Sequence, residues 1–119
     1  TTPEGKVKNA VNKLLDKYSP LYRYWPVPNI YGASSLDCIV CFRGLFIAIE
    51  TKAKGKKPTP RQETMIEVMR GAGGVVLVID GPEGVSQLEE ILEYVAGTRK
   101  PEAQASWRPG YPGSVRTIS

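Results

Sequence analysis

The stretch 35-SLDCIVCFRGLFIAIETK-52 leaves this chain few folding options. Two apolar runs of strand length, rich in β-branched and aromatic residues, flank Arg43-Gly44. That pattern predicts an antiparallel hairpin with strands over about 35–42 and 45–52. A symmetric turn on Arg43-Gly44 makes Phe42 face Leu45 and Val40 face Ile47. The same register sets Asp37 opposite Glu50 and Ser35 opposite Lys52, all on one face. Arg-Gly is not a preferred two-residue turn, so a bulge that moves the register by one is the alternative. In either register two carboxylates are close neighbours inside an apolar hairpin.

Charge in such a place is costly without a partner. A shared proton, a cation, or Lys52 as a purely structural ion pair would each relieve the repulsion. Oxygen-rich ligands of this kind select hard divalent ions, Mg²⁺ or Mn²⁺. Without an ion, removing either carboxylate charge is expected to stabilise the fold.

The flanking segments supply the rest of the architecture. Val7, Ala10, Val11, Leu14, Leu15 and Tyr18 recur at helical spacing over residues 3–18, with Thr2 as cap and Pro3 in the first turn. LYRYWPV (21–27) reads as a short or outer strand, since Pro26 and Pro28 cannot donate to a ladder. Thr59, Pro60 and Gln62 form a capping box that opens a second helix, closed by Gly71, Gly73 and Gly74. VVLVI (75–79) reads as a buried central strand. Ser86 and Glu89 then cap a third helix. The order α-β-β-β-α-β-α predicts an α/β fold, a mixed central sheet flanked by helices on both faces. One domain spans residues 1–96, and 97–119 form a Pro/Gly-rich tail carrying Trp107 and Tyr111.

Charge and cysteine content narrow the function. The net charge is +4, but residues 1–61 hold 11 Lys/Arg against 4 Asp/Glu, and the remainder is acidic. The run 52-KAKGKKPTPR-61 holds five cations, Lys52, Lys54, Lys56, Lys57 and Arg61, and no acid. Such a one-sided surface suits a phosphate backbone, although a solvated loop that aids solubility has the same composition. Cys38 and Cys41 form C-x-x-C, yet an offset of three on a strand points the thiols to opposite faces. With no His and no second Cys pair, a four-ligand zinc site is not expected, and the thiols read as small buried hydrophobes in a reducing compartment. No apolar run is long enough for a membrane span, and no signal-peptide pattern is present.

Asp37 followed on the next strand by Glu50-Thr51-Lys52 resembles the D…(D/E)-x-K signature of the PD-(D/E)xK nuclease superfamily. The αβββαβ order matches that superfamily's restriction-endonuclease-like core. The segment IETKAKGKKPTPRQ, ending in Gln62, is similar to the small viral VRR-NUC type, related to Holliday-junction resolvases. The likeness covers residues 3–96 and departs at Leu36, where Pro is frequent, and in lacking a Val-Arg-Arg segment. It implies metal-dependent hydrolysis of DNA phosphodiester bonds with structural selectivity for branched DNA such as four-way junctions. Asp37, Glu50 and the Thr51 carbonyl would hold Mg²⁺ or Mn²⁺, and Lys52 would orient water or stabilise the transition state. Glu4 and Gln62 are further catalytic candidates; each also has a structural role open to it, at a helix N-terminus and in the capping box. Lys54, Lys56, Lys57, Arg61, Tyr31 and Ser35 are candidate DNA contacts. The resemblance also implies a homodimer, working in the cytoplasm of a bacterial or virus-infected cell. The competing class is a non-catalytic nucleic-acid-binding module that grips a strand with the basic loop and Tyr22, Tyr24 and Trp25.

Overall fold

The computed structural model describes residues 1–27 and 36–100. In chain order these form α1 (Pro3–Leu15), β1 (Tyr22–Tyr24), β2 (Cys38–Phe42), β3 (Leu45–Thr51), α2 (Pro60–Gly71), β4 (Val75–Ile79) and α3 (Pro82–Thr98). The strands make one sheet in the order β1-β2-β3-β4. The first three are antiparallel neighbours, and β4 runs parallel to β3 after the α2 crossover. The fold is α/β, mixed and helix-flanked, as the element order predicts.

The hairpin holds the symmetric register, with Phe42 paired to Leu45 and Cys38 to Ile49. Both turn residues have positive φ, 52° at Arg43 and 84° at Gly44, the backbone of a two-residue hairpin turn. A left-handed conformation costs a non-glycine residue about 1–2 kcal/mol. Arg43 offsets it with its side chain. The guanidinium donates to the carbonyls of Ala96 (2.9 Å) and Arg99 (2.6 Å) at the end of α3 and lies over the Phe42 ring. Those carbonyls lack partners within the helix, so the bonds cap α3 and lock the register together.

Strand alternation then sorts the side chains. One sheet face sends Val40, Phe42, Ile47, Ile49, Leu77 and Ile79 against Val11, Leu14 and Leu15 of α1 and Leu88, Leu92 and Val95 of α3. The opposite face packs Ala48 and Val76 under Ile66 of α2, with Met65 and Met69 beside them. Among the described residues, no helix is long and apolar enough to cross a membrane.

Four expectations change. Helix α1 ends at Leu15, because Lys17 and Tyr18 bond back three residues and tighten the last turn before Pro20. Strand β4 lies at the sheet's edge among the described strands; its apolar run reflects packing of α2 and α3 on its two faces, which buries Val76, Leu77 and Ile79 and leaves Val78 exposed. Helix α3 starts at Pro82, four residues before Ser86, with Gly81 as its cap. Gly84 permits this, since a Cβ there would lie 2.9 Å from Ile79 Cγ2. Finally, the thiols do point apart, but only Cys38 is buried, and burial pushes it up to about 12, while Cys41 is exposed. Trp107 and Tyr111 lie outside the described residues.

Candidate active site

Glu50 is the buried charge around which this end of the sheet is organised. It lies near the end of β3 on the α2 face and is only 2% exposed. Three donors converge on its two oxygens. Oε1 accepts from the backbone N–H of Asp37 (3.3 Å), and Oε2 accepts from the Gln62 side-chain amide (2.8 Å). The Lys52 ammonium, on the same face two residues on, stands 3.4 Å from Oε2.

Asp37 occupies a bend immediately before β2, one step beyond the last ladder pair, and so falls opposite Glu50. Its carboxylate turns to the backbone of the neighbouring strand. Oδ2 accepts from the N–H (2.8 Å) and the hydroxyl (2.9 Å) of the fully buried Thr51. The two acids are therefore linked through main-chain and hydroxyl groups, yet Glu50 still feels the Asp37 charge. Burial pushes the Glu50 carboxyl above its ordinary range, the Asp37 charge pushes it further, and Lys52 pulls it back. A raised value means the folded state holds that proton more tightly. The group's contribution to stability is therefore present in acid and lost as pH rises through the raised value.

Gln62 performs two tasks at once. Its carbonyl oxygen accepts from the Thr59 N–H (2.9 Å) and its own N–H donates to the Thr59 hydroxyl (3.2 Å), completing the capping box. That leaves its amide nitrogen for Glu50, so the start of α2 is tied to the carboxylate.

The basic loop between β3 and α2 is also anchored. A turn from Ala53 to Lys56 closes with a 3.0 Å backbone bond, and Gly55 takes the positive φ of 80° that such a turn requires. The Gly55 N–H donates to Asp80 Oδ2 (3.0 Å), just past β4. The hairpin motif does not point to Asp80; its sequence signal is an acid directly after an apolar strand, next to the exit of β3. Lys54, Lys56, Lys57 and Arg61 are exposed along this loop and the first turn of α2. Glu4, in contrast, pairs with Lys8 at 3.6 Å one helical turn away, and no described contact joins it to the acids. Tyr31 and Ser35 lie outside the described residues.

The donor set suits a hard cation. Among the described residues no group of three or more Asp, Glu, Cys or His side chains gathers, so a metal would rest on two carboxylates and main-chain oxygen. A buried carboxylate pressed upward by burial and a second acid is relieved by a positive ion.

The bonding also revises the stability expectation for charge removal. Asp37→Asn keeps an oxygen for Thr51 while removing the charge that presses on Glu50. Metal-free stability should hold or rise by up to about 1 kcal/mol. Glu50→Gln offers one oxygen to three donors and should cost about 1–3 kcal/mol. Thermal denaturation in EDTA measures both; equal losses would contradict this bonding scheme.

No family model matches the chain, and no curated protein matches it. Among solved structures, one titled "VRR_NUC domain" is similar over 76% of this chain and 97% of its own, at 26% identity and a TM-score of 0.65. The VRR-NUC resemblance and the restriction-endonuclease-like fold are thereby supported together, and the fold is nuclease-like.

Proposed function

We propose that the chain is a Mg²⁺- or Mn²⁺-dependent DNA endonuclease, selective for branched DNA such as four-way junctions and acting as a homodimer. The observation that carries the reading is the Glu50 carboxylate, buried beside Asp37 and held by Lys52 and Gln62, on a nuclease-like fold. A pure binding module gains nothing from two acids beside a phosphate, whereas a hydrolase needs them.

Asp37, Glu50 and the Thr51 carbonyl would hold the ion. When bound, it supplies an activated water and neutralises charge on the phosphate. The chain's own groups do the positioning. Thr51 fixes the Asp37 carboxylate through Oδ2, and among the described residues Oδ1 carries no such bond and would be the oxygen offered to the ion. Gln62 orients Glu50, and Lys52 places its ammonium where it meets the attacking water or a non-bridging phosphate oxygen. The loop bearing Lys54, Lys56 and Lys57, with Arg61, neutralises the flanking backbone.

One set of acids cuts one strand, so a twofold dimer is the economical route to paired cuts in strands of opposite polarity. A cytoplasmic setting follows from the same reading. Four-way-junction, nicked and linear DNA offered in parallel with Mg²⁺ or Mn²⁺ tests selectivity, and sedimentation across micromolar concentrations tests assembly. Preferred paired cutting of the junction by a dimer is expected. Equal rates on all three DNAs from a strict monomer would reduce the activity to single-strand nicking.

A further inference from the structure

Strand β1 presents two tyrosines on the face that carries the acids, and no part of the site described above uses them. Tyr22 is 62% and Tyr24 52% exposed. Their orientation is set from behind. Arg23, between them, donates to the Asn12 carbonyl and side-chain oxygen (both 3.0 Å) and pairs with Asp16 of the α1 terminus. The indole N–H of Trp25 reaches the same Asn12 oxygen (3.0 Å). With Arg23 and Trp25 committed to α1, alternation leaves both tyrosine rings facing outward. Trp25 is thereby removed from the set of exposed aromatics.

Register places this pair beside the acids. Tyr24 is opposite Ile39 on β2, and Asp37 precedes Ile39 by two residues on the same face. The two positions are diagonal neighbours, about 7–8 Å apart. One end of the sheet therefore reads, strand by strand, Tyr24, Asp37, Glu50 with Lys52, then the lysine loop tied to Asp80. Tyr22 extends the row away from the site, next to exposed Cys41. Arg43 lines the same hollow as Tyr22 and Cys41, but its guanidinium is committed to the end of α3. The tyrosine surface thus offers ring faces and little charge, while the cations stand across the site.

We infer that Tyr22 and Tyr24 form a stacking platform for unpaired nucleotides adjoining the scissile phosphate, so that among branched DNAs the chain favours those with bases opened or single-stranded at the branch point. Aromatic rings two residues apart on a strand are spaced about 6.6 Å, and base stacking needs ring faces and tolerates any sequence. The phosphates beyond the cut fall to the lysine loop. This inference rests on the nuclease reading for its substrate, but its test does not depend on cleavage.

The test uses the full chain in EDTA. A duplex with a single-stranded extension carrying the fluorescent base 2-aminopurine is compared with a blunt duplex of equal length. Wild-type protein is expected to prefer the extended DNA and quench the probe. The Tyr22→Ala/Tyr24→Ala double variant should lose at least about tenfold in affinity for the extended DNA, lose the quenching, and bind the blunt duplex unchanged. Tyr22→Phe/Tyr24→Phe should behave as wild type, and circular dichroism verifies that each variant folds. Equal affinity of wild type and the alanine variant for the extended DNA would overturn the inference. So would dissociation of a dimer with DNA affinity intact, which would assign the face to a second copy. Stacking without any cutting, once metal is added, would overturn the nuclease reading alone; cutting without stacking would do the reverse.

Discussion

Asp37→Asn and Lys52→Ala should each lower DNA cleavage by on the order of a thousandfold while the protein remains folded. The two variants remove different things. Asp37→Asn keeps the Thr51 hydrogen bonds but gives up the anionic oxygen offered to the cation. Lys52→Ala removes the ammonium that stands 3.4 Å from Glu50 and leaves a 2% exposed carboxylate without its positive neighbour. Loss of several kcal/mol of transition-state stabilisation corresponds to a rate loss of about this size. The variants separate in their response to metal. Raising Mn²⁺ should partly restore Asp37→Asn, whose defect lies in coordination, and should leave Lys52→Ala inactive. Single-turnover cleavage over a metal titration measures both, and wild-type rates from either variant would remove that residue from the chemistry.

Neutralising Lys54, Lys56 and Lys57 together should produce the largest effect on DNA binding. The three are exposed on a loop held by the Gly55–Asp80 bond, so their charges are presented from a fixed place. Each phosphate contact contributes about 0.9 to the slope of log affinity against log salt on duplex DNA. Replacing all three by Gln should flatten that slope by up to about 3 and weaken binding alike across sequences, since phosphate contacts carry no base readout. Fluorescence anisotropy between low and moderate salt reads the slope directly. An unchanged slope would assign the loop to solubility.

Much of this site is legible in the sequence because its parts are local. The hairpin register follows from two apolar runs and a two-residue turn, and it brings Asp37 to Glu50 without knowledge of the rest of the fold. The capping box identifies the start of α2 and, with it, Gln62. What is not legible depends on contacts between distant segments. Arg43 accepts a left-handed backbone because α3 supplies carbonyls to its guanidinium more than fifty residues away. Asp80 becomes an anchor only when parallel pairing sets the end of β4 beside the exit of β3. The early start of α3 reflects the close approach of Gly84 to Ile79, which no capping pattern signals. An apolar run such as VVLVI reports cover above and below a strand, not neighbours on both edges, and β4 is apolar at the sheet's edge for that reason.

For Glu4, too, the sequence carries only part of the answer. Helical periodicity puts it on the stripe of Val7, Val11 and Leu14, but a stripe does not say which part of the sheet it meets. The helix packs against α3 and the far side of β3, and Glu4 pairs with Lys8.

On the proposed function, Asp37 and Glu50 together hold one divalent cation and the chain cuts DNA there. The most direct measurement is the conversion of supercoiled plasmid to nicked or linear form by the purified chain, with Mg²⁺, with Mn²⁺ and with EDTA, beside a Glu50→Ala control. Cleavage by wild type in either metal, absent in EDTA and absent from the control, is the predicted result. Plasmid left intact by wild type in both metals, or cut equally by Glu50→Ala, would contradict it.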